Sequence, residues 1–285
     1  MAEPIYTIKD GVPQMQESFL IFIDILGYQE MTRTARSKNQ QSALLSRLHT
    51  ALSQQVPAVS RAGDGGPSEC YATRIFTDNL VLARPLLHFG GGTGEPELGW
   101  MMLDAARYQF NLALQGFYVR GGIAVGPAYV DDYVVFGPAL IEAHDIESER
   151  AVFPRIVLTE GARAYVRKHV SFYAAGAINA PQNSEVLVDS DGEWFVNYMD
   201  AALGDDDPGL LPSYRHHVLV HRENTTANIK AFASNRRILE KYRWVGRYHN
   251  YVAGYLYPDD EEVLIPDVLL AGPFRRLSDV LSTKE

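Results

Sequence analysis

The sequence predicts an α+β fold, in which helices cover a mostly antiparallel sheet within a compact unit of about 150 residues. Two observations predict it. Residues 19–23 form a short apolar run of β-branched and aromatic side chains, which is typical of a strand buried on both faces. Residues 70–76 and 80–83 are two further β-rich runs, and the sequence Thr77-Asp78-Asn79 between them favours a tight hairpin turn with Asp78 at its tip.

Helices and further strands alternate along the rest of the first half. Leucines at helical spacing predict a helix over residues 39–55, and a second helix is predicted over residues 100–115. Residues 117–130 are predicted as a strand with a turn at Gly126-Pro127. After one more strand, Pro138 stands where the first turn of a helix accepts proline, which predicts a short helix over residues 139–147.

The second half predicts a C-terminal α/β extension. A strand is predicted over residues 155–158, a helix over 161–168, and two strands over 184–189 and 194–198 that are joined at Asp191-Gly192. Residues 226–251 predict either one long helix or two helices broken near Gly246. Histidines 217 and 221 have the i, i+4 spacing that zinc can use on a helix, but no third ligand stands nearby, so we expect ordinary packing histidines.

Composition limits the classes of function. The chain has 285 residues, a net charge of −9 and a single cysteine, Cys70. The acidic balance argues against general nucleic-acid binding, although a local basic patch could still hold a phosphate. No apolar run is long enough to span a membrane, no signal peptide is evident, and one cysteine fits a reducing compartment. We therefore expect a cytoplasmic protein that binds neither nucleic acid nor membrane.

Two carboxylates are predicted to converge. Asp24 ends the first strand, and Asp78 lies at the tip of the hairpin. Alone, either aspartate would ordinarily be a turn residue. Because sequential strands usually pair, both can reach the same end of the sheet, where the carbonyl of Ile25 completes an oxygen-rich set that suits Mg²⁺ or Mn²⁺.

The residues around these carboxylates resemble the class III nucleotidyl cyclase catalytic domain. The family opens with F-x-D-[IL]-x-G-[FY], and residues 22–28 read FIDILGY. A second aspartate in a hairpin, a strand of the type R-x-G-I-x-x-G and a helix after an aromatic-glycine pair follow in the family. Their counterparts here are Asp78, residues 120–126 and Phe136-Gly137. The resemblance covers residues 18–150, and residues 151–285 lie outside it.

This resemblance implies a ferredoxin-like βαββαβ cyclase core over residues 18–150. Two Mg²⁺ or Mn²⁺ ions would be held by Asp24, the Ile25 carbonyl and Asp78, and the ribose 3′-hydroxyl would attack the α-phosphate and release pyrophosphate. The family shares each site between two catalytic domains, so a homodimer is implied. We expect residues 151–285 to pack on the core as a dimer interface or a lid.

Departures from the family pattern bear on the substrate. The helical positions at which the family carries an Asn and an Arg for the transition state are Ile141 and Asp145 here. The positions that read a purine base are Arg74 and Val134, and only Arg74 could donate hydrogen bonds to a base. The substrate-binding residues that the resemblance implies are Arg74, Phe22, Gly27, Tyr28 and Val134.

The pattern is similar to the stand-alone bacterial pyrimidine cyclases of anti-phage signalling, which keep the metal aspartates and lose the purine determinants. It implies a UTP cyclase, with CTP second, whose product activates a separate effector protein. A purine cyclase with a diverged base pocket and a catalytically silent nucleotide-binding module are the alternatives. The cation that replaces the missing arginine has five candidates, namely Arg120, Arg150, Arg236, Arg237 and Arg243.

Overall fold

The computed structural model describes residues 5–60, 71–86, 93–202, 211–266 and 274–281. Cys70 lies outside these residues. Within them, no helix has both the length and the apolar character that crossing a bilayer requires.

The core of the sheet is a βαββαβ unit. Its four strands lie in the order β6-β3-β5-β4, and all three neighbouring pairs are antiparallel. The α+β fold with a mostly antiparallel sheet is therefore confirmed. A small hairpin of β1 (Ile8–Lys9) and β2 (Val12–Pro13) precedes the unit, which comprises β3 (Gln16–Ile25), α1 (Tyr28–Thr34), α2 (Lys38–Ser60), β4 (Ala72–Phe76), β5 (Asn79–Pro85), α3 (Glu95–Leu114) and β6 (Val119–Val130).

Strand β3 is central because it is buried on both faces. Phe19, Ile21 and Ile23 pack with α2 and α3 in the larger core. Leu20 and Phe22 point to the opposite face, where they pack against the helix that follows β6. An apolar residue at every position from 19 to 23 is what burial on two faces requires.

Strand β6 differs from the prediction because it runs unbroken through Gly126-Pro127, so the predicted turn at these residues is wrong. Both residues stay in register with β3. On its other side β6 pairs with β8 (Ile156–Leu158) only over residues 121–123 and with β7 (Val135–Phe136) only at residues 129 and 130. Pro127 falls between these two pairings, where a strand can lack an N–H donor.

Helix α4 (Pro138–Glu149) crosses the face of the sheet opposite to α2 and α3. It begins with Pro138 in its first turn, as predicted. The helix approaches β6 closely at Gly122, where a Cβ atom would lie 2.3 Å from the carbonyl oxygen of Ala143. Glycine at this position lets the end of α4 reach the strand that carries Arg120.

The second half of the chain extends the same sheet. Strand β8 pairs in parallel with β6, and the order continues through three more antiparallel strands as β8-β10-β9-β11. The elements of this half after β8 are α5 (Glu160–Val170), α6 (Gln182–Glu185), β9 (Val186–Val188), β10 (Trp194–Val196), α7 (Tyr198–Ala201), α8 (Leu211–Ala231), α9 (Arg236–Leu256), β11 (Arg275–Arg276) and α10 (Leu277–Leu281).

The long C-terminal helical stretch is two helices, α8 and α9, and the break lies at residues 232–235 instead of near Gly246. Gly246 is buried inside α9. The Asn235 side chain accepts a hydrogen bond from the Ile238 N–H and caps the start of α9. A capped start and a short connection explain why the break falls where it does.

The buried histidines of α8 and α9 form a directed hydrogen-bond chain. Because the Val263 carbonyl can only accept, His249 Nε2 donates to it at 2.7 Å, and His249 Nδ1 accepts from His221 Nδ1 at 3.0 Å. His221 Nε2 then accepts from the Tyr198 hydroxyl at 2.8 Å. Both histidines are fully buried and neutral in this arrangement, which is a packing role rather than a metal site.

We expect this histidine pair to make folding stability depend on pH. Burial lowers the pKa of His249 to about 4 and holds the pKa of His221 well below its ordinary value. Both pKa values are lower in the folded state, so stability is fully present above about pH 6.5 and is lost as the pH falls. His249 alone should contribute a loss of about 2 kcal/mol between pH 7 and pH 5, measured by urea unfolding.

The exposed His216 on α8 offers a matched control. The variant His216→Gln should keep the pH dependence of the wild type, and His249→Gln should lose a large part of it. Equal pH dependence in both variants would contradict the assignment.

Candidate functional site

The predicted carboxylates meet at one end of the sheet. Asp24 pairs with Asn79 of β5 on one side and with Arg120 of β6 on the other. The N–H of Ile25 donates to the carbonyl of Asp78 at 3.2 Å, so the hairpin tip is held against the end of β3. Phe22 lies two residues before Asp24 on β3 and packs on the face of the sheet that α4 covers. Asp24 and its partner Arg120 lie on this same face.

The hairpin turn owes its shape to Thr77. This residue has a φ of 59°, in the left-handed region that favours glycine, asparagine or aspartate. Its hydroxyl shares one proton between the Phe76 carbonyl at 2.6 Å and the Asp78 carboxylate at 2.7 Å. The left-handed backbone conformation of this turn thus lies at Thr77, and the Thr77 hydroxyl helps to orient the carboxylate of the neighbouring Asp78.

The electrostatics of Asp24 reflect crowding by other acids. Burial, followed by the nearby charge of Glu147, raises the pKa of Asp24 to about 6, although hydrogen bonding and charge from Arg120 act in the opposite direction. The Asp78 carboxyl raises the pKa of Asp24 further. Together with the main-chain hydrogen bond from Ile25 to Asp78, this places the two predicted residues side by side.

Arg120 links two carboxylates of this site. Its Nη2 lies 3.2 Å from Asp24 Oδ2 and 2.5 Å from Glu147 Oε1. Glu147, in the last turn of α4, is nearly buried, and burial raises its pKa. Sequence reasoning named Arg120 among five candidates and missed Glu147, since nothing in a helical glutamate indicates that its helix returns to β6.

Lys241 is a second residue that the sequence did not reveal. It lies on α9, is partly buried, and interacts electrostatically with Asp24, Glu147 and Arg120. Burial and then the charge of Arg120 lower its pKa. It belongs to the extension, outside the family resemblance, and no motif marks it.

The donor set fits a divalent cation in its chemistry. Asp24 and Asp78 supply adjacent carboxylates, and Ile25 follows at the end of the strand, where its main-chain carbonyl was predicted to contribute. Adjacent, partly buried acids repel one another, and a cation between them relieves that repulsion. In the described part of the chain, no group of three or more His, Cys, Asp or Glu side chains forms a metal site, so any ion would depend on this smaller set.

The predicted base-reading residues lie beside each other. Arg74 of β4 donates from Nη2 to Asp132 at 2.6 Å and from Nε to the Asp131 carbonyl. The Asp131 carboxylate accepts from the N–H of Val134 at 2.7 Å, and the Val134 side chain is exposed. Arg74 is thus already engaged by the turn that carries Val134, and its reading of a base stays a prediction.

The other predicted substrate-binding residues of the FIDILGY motif are Phe22, Gly27 and Tyr28, and each has a structural role. Phe22 contacts the His144 ring edge to face, with ring centroids 5.3 Å apart. Gly27 has a φ of 77° and starts α1, which explains a glycine there. Tyr28 packs with the larger core, on the face opposite to Asp24. Contact of these three residues with substrate stays a prediction.

Most alternative cations lie elsewhere. Arg150 forms two hydrogen bonds with Glu193, and Arg243 pairs with Glu240 on an exposed surface. Arg236 begins α9, and Arg237 is close enough to lower the pKa of Lys241. Ile141 and Asp145 are exposed on α4.

The bridge through Arg120 should be important for stability. We expect Arg120→Met to reduce the free energy of unfolding by about 2–3 kcal/mol near pH 7, because two largely buried carboxylates lose their partner. The second change Glu147→Gln should restore part of that loss. The exposed ion pair of Arg167 with Glu160 supplies the control, since Arg167→Met should cost less than about 1 kcal/mol. Equal losses in the two arginine variants, measured by urea unfolding, would contradict the bridge.

Comparison with solved structures finds similarity of fold over part of the chain. Neither a family model nor a curated protein matches the sequence. Among solved structures, the chain is similar to the crystal structure of a Class III adenylyl cyclase-like ATP-binding protein from Pseudomonas aeruginosa, with 14% sequence identity and a TM-score of 0.41. The similarity covers 53% of this chain and 35% of that chain, so it spans about a third of that protein.

Proposed function

We propose that this protein is a metal-dependent nucleotidyl cyclase that converts a pyrimidine nucleoside triphosphate, UTP before CTP, to the 3′,5′-cyclic nucleotide and pyrophosphate. The observation that supports it is the meeting of Asp24 and Asp78 at one end of a βαββαβ sheet. Two adjacent carboxylates beside a strand end are a donor set for Mg²⁺ or Mn²⁺ with a polyphosphate substrate.

In this proposal Asp24, the Ile25 carbonyl and Asp78 hold two Mg²⁺ or Mn²⁺ ions, which when bound would lower the pKa of the ribose hydroxyl and balance the phosphate charge. The 3′-hydroxyl loses its proton to water, its oxygen forms a bond to the α-phosphorus, and the bond from that phosphorus to the bridging oxygen breaks so that pyrophosphate leaves. Arg120 pairs with Asp24 from the neighbouring strand and has to release it when the metal ions bind. Thr77 directs Asp78 by its hydrogen bond, so the side chains of the chain itself arrange the donor set.

The choice of a pyrimidine is supported by the absence of a purine-reading pair. Val134 offers no hydrogen bond from its side chain, and Arg74 is held by Asp131 and Asp132. By the same resemblance we propose a cytoplasmic role in anti-phage signalling, in which the cyclic nucleotide activates a separate effector protein. Purine cyclisation is an outcome that the assay below distinguishes.

A silent nucleotide-binding module is the second candidate, and one contact favours it. Arg120 already neutralises Asp24 at 3.2 Å, and an arginine in that position competes with a metal ion for the carboxylate. In a catalytic protein this ion pair has to loosen when substrate and metal bind. In a silent module it stays closed.

One assay separates these functions. Purified protein is incubated with Mn²⁺ and each of the four ribonucleoside triphosphates singly, and the products are identified by mass spectrometry. We expect a cyclic pyrimidine nucleotide, and we expect Asp24→Ala and Asp78→Ala each to reduce its formation at least 100-fold while the circular dichroism spectrum stays that of the wild type.

The exposed Asp259 provides a control, and Asp259→Ala should keep full activity. A cyclic purine product would support the diverged purine cyclase, and no product would support the silent module. Product formation that survives both aspartate substitutions would contradict the proposed site.

We propose further that the protein acts as a homodimer through the α4 side of the sheet. Exposed apolar side chains lie on this side at Phe76, on β4, and at Ile141, on α4. Phe76 pairs with Asn79, next to Asp24 in the same row across the sheet, so a partner bound here would lie beside the carboxylates. Burial of these side chains against a partner would remove their apolar surface from water.

Sedimentation tests the dimer. We expect the wild type to sediment as a dimer at micromolar concentration and Ile141→Glu to sediment as a monomer, because a charge would be buried at the interface. Leu45 is equally exposed but lies on α2, on the other face, so Leu45→Glu should remain dimeric. A monomeric wild type would contradict the proposal.

A further inference from the structure

Helix α9 brings positive charge to the carboxylate site from outside the βαββαβ unit. Tyr242 packs its ring edge to face on Tyr118, with centroids 5.4 Å apart. The carbonyl of Tyr118 in turn accepts a hydrogen bond from the N–H of Leu26, two residues after Asp24, at 2.8 Å. Lys241 adjoins Tyr242, so the same contacts that fix α9 also fix a lysine at this corner of the sheet.

The cations of this corner are not equally satisfied. Arg120 pairs with Asp24 and Glu147. Over the described residues, by contrast, neither Lys241 nor Arg237 forms an ion pair, although Lys241 is partly buried. The Nε of Arg120 is also buried and has no hydrogen-bond partner in the described part of the chain. Among the described residues, Lys241, Arg237 and the Nε of Arg120 are therefore left without a partner after Asp24 and Glu147 have been paired.

Lys241 and Arg237 lie one turn apart on the same face of α9, and like charges at this spacing repel. Together with burial and Arg120, Arg237 lowers the pKa of Lys241, while Glu147 and Asp24 raise it. An anion that joined these cations would relieve their repulsion and supply the missing partner for each. An anion with several charged oxygens can pair with a lysine and an arginine at the same time.

We propose that Lys241, with Arg237 beside it, binds the polyphosphate chain of a nucleoside triphosphate whose α-phosphate lies at Asp24 and Asp78. This inference rests on the proposed function for the identity of the ligand. It assigns a substrate-binding cation to the C-terminal extension, on α9. The extension is then part of the substrate site.

Binding, measured without turnover, tests the inference. Isothermal titration with pyrophosphate and with UTP in the presence of Ca²⁺ is compared with titration of uridine, for the wild type and for Lys241→Met. We expect Lys241→Met to weaken pyrophosphate and UTP binding about tenfold or more, which corresponds to the loss of one hydrogen bond to a charged group. Uridine affinity should be unchanged, and Lys241→Arg should restore much of the loss.

Lys230, an exposed lysine on α8, gives the matched control, and Lys230→Met should bind all three ligands as the wild type does. Thermal unfolding of each variant separates a folding defect from a binding defect. Equal pyrophosphate affinity in Lys241→Met and Lys230→Met would overturn the inference, and so would a wild type that binds no pyrophosphate. If the wild type binds UTP through Lys241 but releases no cyclic product, the inference holds and the proposed cyclase activity fails.

Discussion

The pairing of β3 on both sides is the constraint on which the rest of the structure depends. Because β5 and β6 hydrogen-bond to its two edges in antiparallel register, the position of every residue across the sheet end is fixed by the position of Asp24. A shift of one residue in either pairing would turn Asp24 or Arg120 to the opposite face. The apolar residues of β3 prevent such a shift, since each face of the strand is buried against its own core.

Charge balance explains why this sheet end can hold several acids. Asp24, Asp78 and Glu147 interact electrostatically with one another, and two of them are largely buried. Arg120 from β6 and Lys241 from α9 bring positive charge from two different parts of the chain. A metal ion or a phosphate would change the balance between these negative and positive charges. Clusters of interacting, partly buried charges are typical of sites that bind charged ligands.

Local patterns were sufficient to predict the βαββαβ unit. The apolar run of β3, the hairpin around Asp78 and the proline at the start of α4 each carry a signal within a few residues. Errors arose where the tertiary environment decided the outcome. Pro127 remains inside β6 because no described strand pairs with β6 at that position on its free side, and the helix break depends on the cap at Asn235 and not on Gly246.

In the candidate site, too, local patterns predicted some residues, and tertiary packing decided the others. Asp24 and Asp78 were predicted to approach each other because adjacent strands carry them, and the hydrogen bond from the Ile25 N–H to the Asp78 carbonyl holds the two residues side by side. Glu147 and Lys241 could not be found from the sequence, since each reaches the site only through the docking of a whole helix. Gly122 permits the approach of α4, and the ring of Tyr118 supports α9. Neither contact leaves a pattern that a single sequence reveals.

The parallel pairing of β8 with β6 has a consequence for the unity of the molecule. Since one continuous set of hydrogen bonds runs from β4 to β11, the N-terminal and C-terminal halves share a single β-sheet. A shortened protein ending after α4 would leave β6 as an unpaired edge strand. It would also expose Tyr118 to solvent, because α8 and α9 would be missing. The two halves therefore depend on each other for the burial of β6, whose residues 121–123, next to Arg120, pair with β8.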